Sequence, residues 1–514
     1  NMTARGFGFG LGVLPYHGTI ILRNIDWYIH GYDYGALFGV LGYSAHVEMN
    51  NSVFHIRGYD DSYSYGFFYR GSTLNLYNSE IILESYADSY IRAFIYTENW
   101  RYSICADRWY WYGPSYYTVN NTTVEAIGQI PLGIYASNRT YVSINNTRFV
   151  GFSNAVYLQY RCDSNITDSV FENNTVAIYI DFSNASISNN ILINNEEIGI
   201  EVLDSHNVEV VSNDIRSSLH GIWLERSVNL TLIGNKLIDA GISIFGEKIE
   251  HFRTHTISDD NTVNGKPVYY VKDMNNYVAP SGAGEVIVVN STGVKVFNQE
   301  ISNPSMGVLI AFSNDTELYG LNVSECMYGI FLAYSYRANI HDNSFRNTGI
   351  LLWDSHDNIV ENNLVNGKPV LYLEDAENTK ITGTYGQVIV VDSLNITIEN
   401  VTTSKTTVGI ELWNTVSSKI IRTNVENSTY GILTGETHSS YIYDLETKGC
   451  WYGIYTYNTN QSLLFSNKII NNMYGIVSRI SSITIEANTI NETSRRALYL
   501  VESNNATIIS NTIS

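Results

Sequence analysis

Residues 199–240, GIEVLDSHNVEVVSNDIRSSLHGIWLERSVNLTLIGNKLIDA, carry the pattern that decides the fold. Two Gly-aliphatic segments begin there, at Gly199 and at Gly221, and each is followed by a polar turn and a second short strand. Apolar and polar residues alternate within these segments, which is the period of a β-strand and not that of a helix. Two short strands and their Ser/Thr/Asn turns within one such interval are typical of one coil of a parallel β-helix.

The same frame recurs along most of the chain. Segments of this form begin at residues 133, 155, 177, 199 and 221, and again at 409, 431, 453, 475 and 497, in steps of 22. A longer repeat of 102 residues relates the NGKPVYY segment at Asn264 to NGKPVLY at Asn366, and Gly307 to Gly409. We therefore predict an all-β fold, a single right-handed parallel β-helix solenoid with coils of about 22 residues.

The repeat also predicts which side chains lie inside the solenoid. Aliphatic residues of one phase should point inward and stack from coil to coil. Asparagines that precede an aliphatic residue should stack as hydrogen-bonded amides, which gives them structural roles. The predicted inward residues are Ile200, Ile222, Ile330, Ile410, Ile432, Ile454 and Ile476. The predicted ladder asparagines are Asn213, Asn235, Asn467, Asn488 and Asn511.

We expect two regions within this solenoid. Residues 1–130 should form irregular, longer coils with aromatic-rich loops, the most aromatic of which spans residues 100–117. Residues 131–514 should form regular coils, interrupted by inserted NGKPV segments at about 250–285 and 359–387. In these segments Asn-Gly followed by Lys-Pro predicts a turn into a short strand outside the ladder, as a loop or hairpin on one face.

Composition and charge narrow the possible functions. The chain has 514 residues, a formal charge of −20, 57 Asn and 89 Ser plus Thr. A strongly negative chain is a poor partner for nucleic acid, which needs a basic face. The given chain contains no apolar stretch of 18 residues that could span a membrane. Because it starts at Asn1 without a signal sequence, we interpret it as a mature or truncated ectodomain.

The four cysteines do not form a recognisable motif. They stand far apart in the sequence, at positions 105, 162, 326 and 450, which excludes a zinc knuckle and a CxxC redox pair. Cys326 and Cys450 share a phase several coils apart, so we expect two buried thiols and no disulfide between them. A bond between Cys105 and Cys162 remains an alternative if the irregular coils bring them together.

The repeat resembles that of a known family. The rhythm G-I-x-L-x-x-S-x-x-x-x-I-x-x-N-x-I resembles the parallel β-helix repeat of NosD-type proteins, over at least residues 131–514. The N-G-K-P-V-x-Y segment is similar to one that recurs in archaeal surface members of that group. The resemblance implies a secreted or cell-surface protein. The name NosD implies a role in periplasmic copper-site maturation, but the sequence shows no cluster of copper ligands.

Asn-x-Ser/Thr sequons occur at 19 positions, against about 10 expected by chance for this composition. In a secreted protein we expect many of them to carry N-glycans on exposed turns. They are Asn1, Asn50, Asn120, Asn121, Asn138, Asn145, Asn165, Asn173, Asn184, Asn229, Asn290, Asn314, Asn322, Asn395, Asn400, Asn427, Asn460, Asn491 and Asn505.

Candidate catalytic and metal-binding residues are few. Pieces of the polygalacturonase pattern occur, but in the wrong order, at Asn213-Asp214, His220-Gly221 and the pairs Asp60-Asp61 and Asp259-Asp260. The candidate lyase bases are Lys266 and Lys368, and the only support for them is that they recur in both NGKPV segments. The spacing of His251 and His255 would let them share a metal ion only if the segment were helical. Both DSH tripeptides, at 204–206 and 354–356, fit hydrogen-bonded turns. We therefore predict no catalytic residue, metal ligand or cofactor.

These observations favour a secreted, N-glycosylated structural or adhesive protein of the cell surface, such as a surface-layer or extracellular filament subunit. A carbohydrate-active enzyme (a polysaccharide lyase or hydrolase) or a passive glycan-binding solenoid is the alternative. The expected partners are further copies of the chain, bound through the terminal coils or residues 100–117, other surface proteins, covalent N-glycans and a polysaccharide.

Overall fold

The computed structural model describes residues 2–7, 10–13, 18–32, 36–58, 63–85, 90–97, 100–103, 108–111, 113–303 and 305–514. The chain divides into two compact units, Asn1–Gly265 and Lys266–Ser514. Nearly all regular structure in the described residues is β-strand, with one single-turn helix at Glu250–Arg253. No helix in these ranges is long and apolar enough to cross a membrane.

The first unit contains three columns of parallel strands, and each coil contributes to every column. The first column comprises Gly10–Val13, Ala36–Tyr43, Tyr63–Arg70, Tyr90–Thr97, Thr123–Ser137, Arg148–Gln159, Val176–Asp181, Ile198–Leu203, His220–Glu225 and Ile242–Phe245. The second comprises Met2–Phe7, Asp26–Tyr32, Val53–Gly58, Glu80–Ser85, the long strands Thr123–Ser137 and Arg148–Gln159, Val170–Glu172, Ile191–Ile193, Asp214–Arg216, Lys236–Ile238 and Thr262–Val263. The third comprises Thr19–Arg23, His46–Asn50, Thr73–Tyr77, Ser115–Asn120, Thr140–Asn145, Asp163–Thr167, Asn184–Ser188, Val208–Val211, Thr231–Ile233 and Thr256–Ile257.

The aromatic-rich segment of the first unit contains a short hairpin. Strand Trp100–Ser103 pairs antiparallel with Arg108–Trp111. The expectation of a contact surface at residues 100–117 rests largely on side chains that lie outside the described residues, as does Cys105.

The second unit contains two stacks of coils. The first stack has strands Lys266–Lys272, Glu285–Val289, Met306–Ala311, Tyr328–Ala333 and Ile350–Trp353, followed in each coil by Lys295–Phe297, Glu317–Tyr319, Asn339–His341 and Ile359–Glu361, and by Glu300–Ser302, Asn322–Ser324, Ser344–Arg346 and Leu364–Val365. The second stack also has three columns of strands. The first column comprises Lys368–Glu374, Gln387–Val391, Val408–Trp413, Tyr430–Gly435, Tyr452–Tyr457, Tyr474–Arg479 and Arg496–Val501. The second comprises Lys380–Thr384, Thr397–Ser404, Lys419–Ile421, Tyr441–Tyr443, Asn460–Phe465, Ser482–Glu486 and Thr507–Ile509, and the third comprises Asn424–Glu426, Glu446–Lys448, Lys468–Ile470, Thr489–Asn491 and Thr512–Ile513.

The predicted all-β parallel solenoid with coils of about 22 residues is confirmed. Successive strands pair in parallel at that offset, as Ile200 does with Ile222 and Ile432 with Ile454. All seven isoleucines that were predicted to point inward are fully buried. A glycine opens many coils because the next coil passes close by: a Cβ on Gly199 would lie 2.7 Å from the carbonyl oxygen of Gly221.

The predicted asparagine ladder is also confirmed. Asn190 donates from its backbone N–H and from Nδ2 to Oδ1 of Asn213, both at 3.0 Å, and Asn213 repeats this pattern with Asn235. A second run joins Asn467, Asn488 and Asn511 with Nδ2–Oδ1 distances of 2.8 and 2.9 Å. Each amide therefore satisfies buried backbone groups at a coil corner and links one coil to the next.

The second NGKPV segment forms the predicted hairpin. The turn at Asn366 and Gly367, both with positive φ, joins Leu364–Val365 antiparallel to Lys368–Glu374. The expectation that the following strand lies outside the ladder was wrong, since Val370 pairs in parallel with Gln387. Pro369 lacks an N–H but sits at the hairpin end of the strand, so the rest of the strand is free to pair in the ladder.

This hairpin interrupts the ladder of the second unit. The first stack ends at Ile350–Trp353, and buried side chains of the second stack bond to the edge of that strand. Gln387 Oε1 accepts from Ile350 N–H at 2.9 Å, and Gln387 Nε2 donates to the Ile350 carbonyl. Glu411 Oε1 accepts from Leu352 N–H at 3.1 Å. We call this region the stack junction.

Replacing Asn213 with alanine should loosen the coil that it links. Asn190 would lose two hydrogen bonds to Oδ1, and the Ile187 carbonyl would lose its bond from Nδ2. Because a buried N–H would lack an acceptor, we expect the free energy of unfolding to fall by about 1–3 kcal/mol. Hydrogen exchange followed by mass spectrometry should show faster exchange around Asn190. The matched control is Asn322→Ala, at an exposed strand position, and equal exchange in the two variants would contradict the ladder's role.

Candidate functional site

A row of aromatic and acidic side chains runs along the first column of the first unit. The same position in five successive coils is occupied by Tyr135, Tyr157, Tyr179, Glu201 and Trp223. They alternate with inward aliphatic residues, so the pleat of each strand turns them to the outer side of the sheet. We call this row and its neighbours the aromatic–acidic face.

The rings of this face are in contact. Ring centroids lie 5.3 Å apart for Tyr135 and Tyr157, and 4.5 Å apart for Tyr157 and Tyr179, in edge-to-face geometry. Trp223 stacks on Phe245 at 4.4 Å. Since most of these side chains are only half-buried, part of each ring remains available to a ligand.

A hydrogen-bonded chain runs beside these rings. Tyr135 Oη donates to Gln159 Oε1 at 2.9 Å, and Gln159 Nε2 donates to Asp181 Oδ2 at 2.9 Å. Asp181 is 6% exposed, and its second oxygen, Oδ1, has no hydrogen-bond partner. A buried carboxylate oxygen without a donor is costly, because its water contacts are lost and not replaced.

Burial and like charge shape the acidity of the face. Burial first, and then the neighbouring Glu225, Glu197 and Asp181, raise the pKa of Glu201 to about 8. Burial also raises the pKa of Asp181. Glu201 therefore carries a proton at neutral pH and can donate a hydrogen bond.

A second cluster lies at the stack junction of the second unit. His356 Nδ1 lies 2.7 Å from Asp392 Oδ2, and His356 Nε2 lies 3.1 Å from Asp354 Oδ1. The hydrogen bond with Asp354, followed by that with Asp392, raises the pKa of His356 to about 9. The imidazole is 17% exposed, so the cluster is accessible to small ligands and ions.

Glu374 completes this cluster. Its carboxylate accepts from the backbone N–H of Asp357 at 2.6 Å, from that of Asn358 at 2.8 Å and from the Tyr372 hydroxyl at 2.6 Å. One ligand atom each from His356, Glu374 and Asp392 lies within 4.8 Å of the others, which makes this the one such group in the ranges that the structure covers. We call these three side chains and Asp354 the His356 cluster.

The stack junction also contains a buried acid and three aromatic rings, of which Trp413 is buried and the other two are half-buried. Trp353 packs at 4.8 Å from both Trp413 and Tyr457, measured between ring centroids. Glu411 is fully buried, and burial raises the pKa of its carboxyl well above the ordinary value. The carboxyl accepts a hydrogen bond from the Leu352 N–H, which satisfies one of its buried oxygens.

Most residues that the sequence analysis weighed have structural roles. Asn213 is a ladder amide, Asp214 pairs with Arg216, and His220 is buried against Ser243 with a pKa lowered by burial to about 3. Asp260 accepts from Gly234 N–H, Asp259 is exposed, and Asp60 and Asp61 lie outside the described residues. The polygalacturonase-like pieces are therefore not assembled into a site within the described residues.

The histidine pairs separate into different environments. The helix Glu250–Arg253 does form around His251, but Nε2 of His255 bonds to the His251 carbonyl oxygen rather than pointing at a shared ion. In the first DSH tripeptide, Asp204 pairs with Arg226 and His206 is exposed. Of the two tripeptides, only the second brings its histidine close to carboxylates from other strands. The prediction of a hydrogen-bonded turn did not include these contacts.

The two candidate lysines and the cysteines fit structural roles. Lys266 Nζ donates to the Glu300 carbonyl at 2.7 Å, and Lys368 is exposed beside the hairpin turn. Cys162, Cys326 and Cys450 are buried free thiols, as expected for the last two. Cys162 is therefore not in a disulfide here.

The described sequon asparagines are all exposed or half-buried. Those that are exposed are Asn121, Asn165, Asn173, Asn229, Asn322, Asn395, Asn400, Asn427 and Asn505, and the half-buried ones are Asn50, Asn120, Asn138, Asn145, Asn184, Asn290, Asn314, Asn460 and Asn491. The buried asparagines form a separate set without sequons, Asn174, Asn190, Asn195, Asn213, Asn235, Asn261, Asn303, Asn343, Asn358, Asn363, Asn467, Asn472 and Asn488. Asn1 lies outside the described residues.

Replacing Glu201 with glutamine should stabilise the protein at neutral and alkaline pH. The pKa of Glu201 is about 8 in the folded chain and about 4.5 when unfolded, so its burial destabilises the fold progressively as pH rises from 4.5 to 8. The variant should gain roughly 2–4 kcal/mol at pH 8 and nothing near pH 4. Unfolding midpoints in denaturant at both pH values measure this, with the exposed Glu209→Gln as control. A gain in stability that is equal at both pH values would contradict a raised pKa of Glu201 in the folded chain.

Comparison with known proteins identifies a family-level match. The family model "Periplasmic copper-binding protein (NosD)" matches residues 95–288, 259–388 and 384–514. A search among proteins of curated function finds no match.

Several solved structures are similar at low identity. A periplasmic alginate epimerase, AlgG, is 11% identical over 66% of this chain and 78% of its own, with a TM-score of 0.24. The Azotobacter vinelandii mannuronan C-5 epimerase AlgE6 A-module is 10% identical over 86% and 90%, with a TM-score of 0.20. The tailspike of E. coli bacteriophage HK620, in complex with a hexasaccharide, is 11% identical over 96% and 73%, with a TM-score of 0.24. At these TM-scores the similarities do not bear on function.

The donor atoms gathered in the His356 cluster fit one oxidation state of copper. Copper(I) prefers thiolate and thioether sulfur, whereas copper(II) accepts imidazole nitrogen and carboxylate oxygen. The three described cysteines are buried and lie in different coils, with burial raising the pKa of each thiol. The His356 cluster offers one nitrogen and two or more oxygens. These residues would hold copper only as the divalent ion.

Proposed function

Because this chain belongs to the NosD family, whose members are described as periplasmic copper-binding proteins, we propose that it acts outside the cytoplasm. There it is an N-glycosylated adhesive protein of the cell surface that binds polysaccharide along the aromatic–acidic face. The adhesive role requires no catalytic group, and the solenoid supplies a long, rigid sheet on which ligand contacts repeat once per coil.

The distribution of asparagines supports glycosylation. Sequons coincide with exposed or half-buried asparagines, and buried ladder asparagines lack them. Glycans on the exposed corners would add polar bulk without disturbing the ladders inside. Assembly into a surface layer or filament, with self-association through the terminal coils, belongs to the same proposal and rests on the sequence alone.

The single observation that carries polysaccharide binding is the aromatic–acidic face itself. Apolar ring surface comes from Tyr157, Tyr179 and Trp223, and the half-buried Glu201 offers a hydrogen-bond donor beside them. Sugar rings have the same combination of apolar C–H faces and hydroxyl groups. Because every charged group named on this face is acidic, a neutral polysaccharide suits it better than a polyuronate.

A carbohydrate-active enzyme is the second candidate function. The protonated Glu201 favours it, because a general acid for glycoside cleavage needs a raised pKa. Its neighbour Asp181 supplies a second carboxyl group on the same face.

Native protein should carry glycans on several exposed sequons, Asn229 and Asn505 among them. Mass spectrometry of glycopeptides from the source organism locates them. The set without sequons, such as Asn213, is the internal control. An intact mass of native protein equal to the bare polypeptide mass of 57.9 kDa would contradict the glycosylated form of the proposal.

Alanine at Tyr157 or Trp223 should lower affinity for a neutral polysaccharide by roughly tenfold each, because each removes a ring from the centre of the contact. Affinity electrophoresis through gels containing a soluble neutral glucan measures this, and gels containing alginate, a polyuronate, provide the charged comparison. Tyr441→Ala, which removes a 46% exposed tyrosine elsewhere, is the matched control. Equal retardation of all variants would contradict the assignment of this face.

The same polysaccharides distinguish the two candidate functions. Unchanged chain length after incubation supports binding alone. Release of new chain ends that disappears in Glu201→Gln supports the enzyme.

A further inference from the structure

We propose that His356, Glu374 and Asp392 bind one divalent transition-metal ion of the zinc or copper(II) class. His356 follows the last strand of the first stack, Glu374 ends Lys368–Glu374, and Asp392 directly follows Gln387–Val391. Their ligand atoms lie within 4.8 Å of one another, so small side-chain rotations bring them onto one ion with bonds of about 2.0–2.2 Å. This site does not depend on the adhesive role proposed above.

The imidazole is held as a metal ligand usually is. Nδ1 faces Asp392, and Nε2 faces Asp354 Oδ1 at 3.1 Å. Metal-binding histidines typically bond to a carboxylate through the second ring nitrogen, which fixes the orientation of the ring. Asp354 is thus a positioning residue, and the Tyr336 ring, with its centroid 5.9 Å from that of His356, covers one side of the imidazole.

The two carboxylates are also fixed before any ion binds. Glu374 accepts hydrogen bonds from the backbone N–H groups of Asp357 and Asn358 and from the Tyr372 hydroxyl. Asp392 Oδ1 accepts a hydrogen bond from Asn414 Nδ2. A preorganised ligand set lowers the entropy that is lost when an ion binds.

A buried asparagine next to the cluster supports the Glu374 carboxylate. Asn358 is 6% exposed, its backbone N–H is bonded to Glu374, and its Oδ1 accepts from Ala338 N–H. Its side-chain Nδ2 faces the Tyr372 hydroxyl, which itself donates to Glu374 Oε2 at 2.6 Å. Asn358 therefore supports the Glu374 carboxylate through both its backbone and its side chain.

The fold itself does not require this cluster. The repeat of 102 residues preserves Asn264 as Asn366 and Val286 as Val388, but it does not preserve the ligands. The residues 102 positions before Asp354, His356, Glu374 and Asp392 are Phe252, Thr254, Lys272 and Asn290. Phe252 and Thr254 belong to the helix Glu250–Arg253 and its C-cap, so they are not structural counterparts of Asp354 and His356. Lys272 and Asn290 do replace Glu374 and Asp392 in the other copy, so the repeat does not carry these two carboxylates.

The donor set selects the class of ion. One imidazole with two carboxylates suits zinc and copper(II), and for such ligands affinity rises toward copper(II) among the divalent ions. Calcium and magnesium prefer oxygen ligands alone and gain little from imidazole. The cluster contains no sulfur, which disfavours copper(I).

Calorimetric titration of the full chain, without a polyhistidine tag, with Zn²⁺ alone and with Cu²⁺ alone tests the site. We expect one equivalent of either ion. His356→Gln and Asp392→Asn should each lower affinity by about 100-fold or more, and Asp354→Asn by about 10–100-fold. Glu374→Gln provides a further ligand variant, and circular dichroism verifies that each variant is folded.

Two histidines serve as matched controls. His341 also contacts two carboxylates, Asp342 at 2.8 Å and Glu317 at 3.6 Å, and His206 lies in the other DSH tripeptide. His341→Gln and His206→Gln should each keep the one-equivalent site. The absence of saturable binding, binding that persists in folded His356→Gln and Asp392→Asn, or tighter binding of Ca²⁺ than of Zn²⁺ would each overturn the proposal.

Discussion

The structure depends on in-register hydrogen bonding between each coil and the next. Parallel strands one coil apart pair residue for residue, so that every position in a coil repeats directly beside its counterpart. Buried asparagines extend this bonding from the strands into the corners, where Asn213 serves both its own coil and the preceding one. Because neighbouring strands pair in register, a single substitution changes one rung of a ladder, and a run of like residues builds a surface.

Both candidate sites are consequences of this arrangement, in opposite ways. The aromatic–acidic face exists because the register is kept through five coils, which stacks Tyr179, Glu201 and Trp223 in one row. The His356 cluster exists where the register is broken. At the stack junction the strand Ile350–Trp353 bonds to side chains such as Glu411, and the hairpin brings Glu374 beside a turn that would otherwise face the next coil.

The sequence predicts the regular part of the fold well, because one period determines both strand position and side-chain direction. The inward isoleucines and the ladder at Asn213 and Asn488 follow directly from the step of 21 to 23 residues between the regular coils. The aromatic–acidic face could have been found from the same rows, since Tyr157, Tyr179, Glu201 and Trp223 share a phase. The His356 cluster could not, because the hairpin at Asn366 shifts the frame and hides which residues meet. The signals in the sequence were the DSH tripeptide at 354–356 and the replacement of Glu374 and Asp392 by Lys272 and Asn290 in the other copy of the repeat of 102 residues.

The role of register between coils can be tested by two deletions, one that keeps the coil period and one that breaks it. Deletion of residues 177–198 removes one full coil and joins Val176 to Gly199 in the original phase. Deletion of residues 177–187 removes half a coil. The first variant should keep its strand content by circular dichroism and unfold in one cooperative thermal transition. The second should lose strand content and unfold less cooperatively. Equal behaviour of the two variants would contradict the claim that coil-to-coil register holds this structure together.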